Sequence, residues 1–307
     1  MTLDFPLIFE DIKKQVKHIE QKYGLVNPEI KFSAGSNLGD GFLGVTTAIS
    51  LKDSKQELKI FLKVASTDEA FRASMETRSV FLQEIVFYDK VYPTLSQFYG
   101  DKTGESLKFT PELYHTCAGE MNEMIFMENL RGSGFKLHEK GTVMSGELLA
   151  AVIKMYAKFH ATSFALRHQK PDVFESLTEK LPNLFSVLYD KCDLSAIFCG
   201  SVRDAINCLD AGEEADVITK IKNAGDKTYA LLRQERIAPP EYSAIIHGDC
   251  WSNNMMFKFK VSTCTKLNNL CNLTKAHLPL HFSCKSGKNI IYIIINHHRV
   301  TTSIIIL

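Results

Sequence analysis

The sequence predicts an α+β protein in which a small sheet precedes a mostly helical half. Stretches rich in β-branched and aromatic residues, with strand-like patterning, crowd into the first 130 residues. From Ser145 to Leu232 only helical periodicities appear. At 307 residues, 45% hydrophobic and 23% charged, the chain is long enough for a sizeable core.

The bulk charge is +1, which implies no polyanionic partner and argues against nucleic acid. The N-terminal segment Met1 to Pro6 lacks the basic stretch and apolar core of a secretory signal. No apolar run reaches the length of a membrane span. The eight cysteines show no framework spacing, so reduced thiols in a cytoplasmic protein without a membrane partner are expected. Oligomeric state cannot be read from the sequence.

Residues 6 to 23 predict a helix. Ile8, Ile12, Val16 and Ile19 recur at helical spacing, and Gly24 stops it. Residues 31 to 49 read as strand, glycine-rich turn, strand. Gly35, Gly39, Gly41 and Gly44 fall within ten residues, which lets the backbone approach a ligand, although such hairpins are often purely structural. No Gly-Lys-Ser/Thr follows, so this is not a P-loop. Leu58 to Ala65 predicts a strand interrupted by Lys63, which either meets an anion or lies on a wet edge. Residues 71 to 92 predict a helix ended by Pro93. Its apolar stripe of Val80, Phe81, Phe87, Tyr88 and Val91 includes Glu84. A Lys63–Glu84 ion pair would answer both oddities, unless Glu84 sits at the stripe's solvated edge. Strands are predicted at Phe109 to Thr116 and Glu123 to Met127. A long helix follows, capped by Ser145 with Leu148, Val152, Met155, Tyr156, Phe159 and Ser163 on one face. His160 reads as a packed core histidine. Shorter helices are predicted at Val173 to Lys180, Leu184 to Tyr189, Ala196 to Leu209 and Ala215 to Leu232.

The most informative stretch is Ile245 to Asn254, in which His247-Gly248-Asp249 precedes Asn254 by five positions. The spacing suits phosphoryl transfer: a loop Asp can take the proton of an attacking hydroxyl, and an Asn just beyond can ligate Mg²⁺. With the apolar strand that follows, Ile245 to Phe259 (IIHGDCWSNNMMFKF) closely resembles the catalytic loop of the ecdysteroid kinase-like family. That family is a branch of the aminoglycoside- and choline-kinase-like group. The resemblance covers about residues 30 to 260, with its motifs in the family's order.

The resemblance implies a two-lobed protein-kinase-like fold. Residues 1 to 127 would form the nucleotide-binding lobe and 128 to 260 a helical lobe with the catalytic loop. It implies ATP and Mg²⁺ as cofactors and a small-molecule alcohol, an ecdysteroid or related sterol-like or xenobiotic hydroxyl, as acceptor. Asp249 would be the catalytic base and Asn254 a metal ligand. Lys63, oriented by Glu84, would hold the phosphates beneath the hairpin of Gly39 and Gly41. Main-chain groups of Glu128 and Leu130 would meet adenine. His247 would support the loop.

The family pattern then calls for an Asp-Phe motif that supplies a second metal carboxylate. No Asp or Glu follows Asp249. From 261 to 307 there are five Lys or Arg and no acid, leaving 31 basic against 35 acidic residues before it. This segment ends in isoleucine runs that would be aggregation-prone strands if uncovered. Residues 261 to 307 are therefore expected to be foreign to the kinase fold, as a retained intron or misassigned gene end would leave them. The alternative to an active enzyme is an inactive truncated product or a nucleotide-binding pseudokinase.

Overall fold

Two packed faces of one antiparallel sheet organise the chain. The computed structural model describes residues 6–35, 44–139, 141–179, 181, 194–234, 244–248, 250, 252–259 and 291–295. Helix α1 (Pro6–Tyr23) leads into strands β1 (Glu29–Ala34), β2 (Gly44–Lys52) and β3 (Glu57–Ala65). With β4 (Leu113–Gly119) and β5 (Asn122–Glu128) these form a five-stranded sheet of order β1-β2-β3-β5-β4. Neighbouring strands all run antiparallel.

Strand alternation divides the sheet's side chains into two sets. Ile60, Leu62, Val64, Met124 and Phe126 point to one face and pack against Ile12, Val16 and Ile19 of α1. These are the apolar positions whose spacing predicts the helix. Phe61, Ala65, Ile125 and Met127 point to the other face and join the larger core.

That second face is covered by a broken helix. The 71–92 helix expected from the sequence is instead α2 (Glu69–Met75) and α3 (Thr77–Val86), separated by Glu76 at φ 48°. Asp68 caps α2 by accepting from the Phe71 amide at 2.7 Å. Pro93 does not end the helix. A π-turn at Phe87–Val91 continues α3 into α4 (Tyr92–Thr103), and the Tyr92 amide bonds back to the Phe87 carbonyl. Pro93 falls in the first turn of α4, where its missing N–H and the registry change of the π-turn are compatible. The strand expected from Phe109 begins only at Leu113; Leu107 and Phe109 are buried side chains of the preceding loop.

Beyond β5 come the short β6 (Lys136–Leu137), α5 (Gly146–Gln169) and α6 (Pro171–Thr178). Then follow α7 (Leu194–Asn207) and α8 (Ala215–Gln234). Ser145 caps α5, accepting from the Leu148 amide at 3.3 Å. The 184–189 helix of the sequence reading lies outside the described residues. Leu148, Val152 and Phe159 of α5 share one core with Phe61 of β3, Phe81 of α3 and Leu95 of α4. Apolar packing thus runs across residue 128 without a break.

A second sheet has the order β6-β7-β8, with β7 at Met255–Phe259 and β8 at Ile291–Ile295. The first isoleucine run of the 261–307 segment is therefore a paired strand, with Met255 opposite Ile295 and Phe259 opposite Ile291.

Candidate active site

The candidate site begins on the sheet face beneath α3. Lys63 is directly opposite Ile125 in the β3–β5 ladder, so it shares the face of Phe61 and Ala65. Glu84 faces it from α3. Lys63 Nζ donates to both carboxylate oxygens, at 2.5 and 2.7 Å. The side chains are 7% and 4% exposed. Burial pushes the Glu84 carboxyl above its ordinary value, while the charge and hydrogen bonds of Lys63 oppose that shift. A buried charge is tolerated only when paired, so each residue accounts for the other's position.

A second charged group lies on the same face. Glu123, wholly buried, accepts from Arg72 at 3.0 and 2.8 Å and from Arg78 at 2.7 Å. Sequence reading missed it, because Glu123 only looked like the polar start of a strand. Two arginines six residues apart, Arg72 and Arg78, were the available signal.

The segment after β5 is tightly tied. The Glu128 amide donates to the Glu112 carbonyl and the Asn129 amide to the Lys59 carbonyl, both at 2.8 Å. The Glu128 carboxylate accepts from Ser133 Oγ at 2.6 Å. The Leu130 carbonyl accepts from the amides of Ser133 and Phe135, at 3.1 and 3.0 Å. That carbonyl is therefore engaged by the turn. Its side chain packs with Phe135 and Met256. Lys258 of β7 donates to the Ser133 carbonyl at 2.7 Å, and Arg131 to the Gly35 carbonyl at 3.3 Å. The turn after β5 thus touches both β7 and the base of the glycine-rich hairpin.

Two of the four hairpin glycines have a packing role. A Cβ on Gly35 would lie 2.6 Å from the Thr47 nitrogen, and one on Gly44 would collide with the Val64 carbonyl. Gly39 and Gly41 lie outside the described residues.

The lead into the His-Gly-Asp loop is anchored on α5. The Ile245 amide donates to Ser163 Oγ at 2.7 Å, and both residues are buried. His247 is 1% exposed and packs edge-on to Tyr156, with ring centroids 6.0 Å apart. Burial, then the neighbouring His160 and the charge of Lys63, press its pKa down to about 3. His247 is thus held in its neutral form among buried groups. Burial lowers the pKa of His160 as well, and its ring lies 5.9 Å from Tyr156. Gly248 turns the chain at φ 79°, a left-handed conformation suited to glycine. Asp249 lies outside the described residues. Asn254 ends the 3₁₀ turn Ser252–Asn254 and is wholly buried. Among the described residues no cluster of three or more His, Cys, Asp or Glu is arranged for a metal, and no helix is long and apolar enough to cross a membrane.

A family model, the ecdysteroid kinase-like family, matches residues 38–270. The matched span includes Gly39, Gly41 and Gly44 of the hairpin, Lys63, Glu84 and the whole His-Gly-Asp loop, and extends ten residues past position 260. No curated protein and no solved structure matches the chain.

Proposed function

The chain belongs to the ecdysteroid kinase-like family, and from that premise we propose that it transfers phosphate from ATP to an alcohol group of a small molecule. Its fold is the kinase-like α+β fold, and membership supports small-molecule kinase chemistry in general. The observation that carries the finer reading is the buried Lys63–Glu84 pair, a sheet lysine held by a helix glutamate.

In this reading Lys63 holds phosphate oxygens, and Glu84 keeps its ammonium aimed along one direction. Asp249 accepts the proton of the acceptor hydroxyl. That oxygen bonds to the γ-phosphorus as the bond to the β–γ bridging oxygen breaks, releasing ADP. His247, neutral and packed, keeps the loop rigid, and Ser163 fixes the strand that leads into it. The main chain from Glu128 to Leu130 receives adenine. The acceptor is a hydroxyl of an ecdysteroid or related sterol-like or xenobiotic molecule, and the reaction takes place in the cytoplasm.

Mg²⁺ fits the residues only in part. Asn254 would contribute one neutral amide oxygen, while residues 250 to 307 contain no acidic side chain to act as the second anionic donor that kinase sites use. That shortage favours a second reading, in which the chain binds nucleotide without transferring phosphate.

The deciding experiment measures ADP release by the full chain with MgATP across a panel of hydroxylated sterols, beside calorimetric MgATP binding. Acceptor-dependent ADP release that Asp249→Ala abolishes, with MgATP affinity retained, is the expected result. Binding without release by the native chain would establish the second reading instead, and absence of both would overturn each.

A further inference from the structure

The sheet face that carries Lys63 carries an opposite arrangement of charge two residues along the neighbouring strand. Ile125 is paired with Lys63, and Glu123 precedes it by two positions on the same face. At Lys63 a cation from the sheet meets a carboxylate from the helix. At Glu123 a carboxylate from the sheet meets cations from the helices. Arg72 of α2 grips both carboxylate oxygens of Glu123 and also donates to the Ser66 carbonyl at 2.9 Å. Ser66 is the residue just after β3, three positions from Lys63. Arg78 stands in the first turn of α3 and six residues before Glu84, roughly 9 Å along a helix axis.

The two arginines straddle Glu76, where the chain passes from one helix to the other in a left-handed conformation. No side chain caps the start of α3. Its N-terminal end is held instead by the guanidinium group of Arg78 on a carboxylate of β5. Guanidinium groups are planar; Arg72 holds Glu123 through two nitrogens and Arg78 through one, and together these bonds restrict how the helices that carry them sit on the strand. Burial alone would push the Glu123 carboxyl up, but hydrogen bonds from Arg72 and Arg78 hold it below the ordinary glutamate value. The anchor is therefore charged at working pH.

We propose that Glu123 is a positioning residue that, through Arg72 and Arg78, fixes α3 against β5 and so holds Glu84 on Lys63. The consequence for nucleotide binding rests on the function proposed above; the geometric statement does not.

The test uses the full chain with Arg78→Ala, Glu123→Gln and the conservative Arg78→Lys, each checked for folding by its melting curve. The first readout needs no nucleotide: the rate at which an acylating reagent modifies Lys63, followed by mass spectrometry against the exposed lysines. The expected result is about fivefold or more faster modification of Lys63 in Arg78→Ala, with the other lysines unchanged and Arg78→Lys partly restored, as a locally loosened contact requires. The second readout is MgATP affinity. It should weaken by about 2- to 30-fold in Arg78→Ala, and Arg78→Ala should add nothing once Lys63→Ala is present. Should Glu123→Gln fail to fold, Arg78→Ala still decides, because its side chain is 39% exposed. Unchanged Lys63 reactivity in folded Arg78→Ala overturns the proposal. A native chain that does not bind MgATP overturns the nucleotide reading, and the acylation rates still decide the role of Glu123.

Discussion

Lys63 and Glu84 meet at 2.5 Å between a sheet and a helix, with each side chain less than a tenth exposed. The contact joins residues 21 positions apart that local sequence pattern would have kept dry. Each charge is tolerable only because of the other, so the pair links stability to the geometry of the site.

Removing one partner should therefore cost more than removing both. Lys63→Met is expected to destabilise the chain by about 3–5 kcal/mol, because Glu84 is left buried and unpaired. Lys63→Met combined with Glu84→Leu should recover most of that loss, since apolar replacement of a buried pair is often nearly neutral. Urea melts of the three proteins would measure this. A double variant less stable than Lys63→Met would contradict it.

The acid side of the stability profile should carry the signature of His247. Its pKa is depressed from the ordinary 6.5 to about 3. The unfolded chain binds a proton there that the folded chain refuses, so stability is present above the ordinary value and is lost as pH falls toward the folded one. The loss approaches about 1.4 kcal/mol per pH unit within that window. His247→Asn, compared with the native chain by urea melts between those values, should show a slope shallower by about one proton. An unchanged slope would mean that His247 titrates normally in the folded protein.

Ser163 should matter more than an ordinary helix serine. Its hydroxyl satisfies the buried Ile245 amide at 2.7 Å. Ser163→Ala leaves that amide without its partner and should cost about 1–3 kcal/mol. Hydrogen exchange at Ile245 should accelerate while α1 amides keep their protection. Equal protection at Ile245 in both proteins would show that another acceptor takes over.

Gly35 is expected to resist substitution for reasons of space. Its missing Cβ would lie 2.6 Å from the Thr47 nitrogen and 2.7 Å from the Thr46 carbonyl carbon. These are backbone atoms of a paired strand and cannot swing aside, so Gly35→Ala should cost about 1–3 kcal/mol or more. Gly146→Ala is the control, with nothing within 4 Å and a helical position, and should be neutral or stabilising by up to about 1 kcal/mol. The two melting temperatures, measured side by side, check both.

Local chemistry by itself determined a good deal of this protein. Helical spacing placed Ile12, Val16 and Ile19 on the buried face of α1, and a serine before an apolar run placed the start of α5. Lys63 and Glu84 were legible as partners because each was a charge in an apolar pattern. The order of the motifs, ending in His247-Gly248-Asp249, carried the family. What depended on distant partners was decided only by the tertiary structure. Nothing near Glu76 announces a helix break, which is stabilised by arginines reaching a strand some fifty residues away. Pro93 reads locally as a stop, yet the π-turn before it lets the helix continue over the core. Ser163 looks like any helix serine until the strand before the loop arrives to need its hydroxyl. Ile291–Ile295 reads as an unpaired run until β7 supplies a strand partner. Periodicity reports which side of an element faces inward; it holds no record of which distant group waits there, and hydrogen bonds and ion pairs depend on that group.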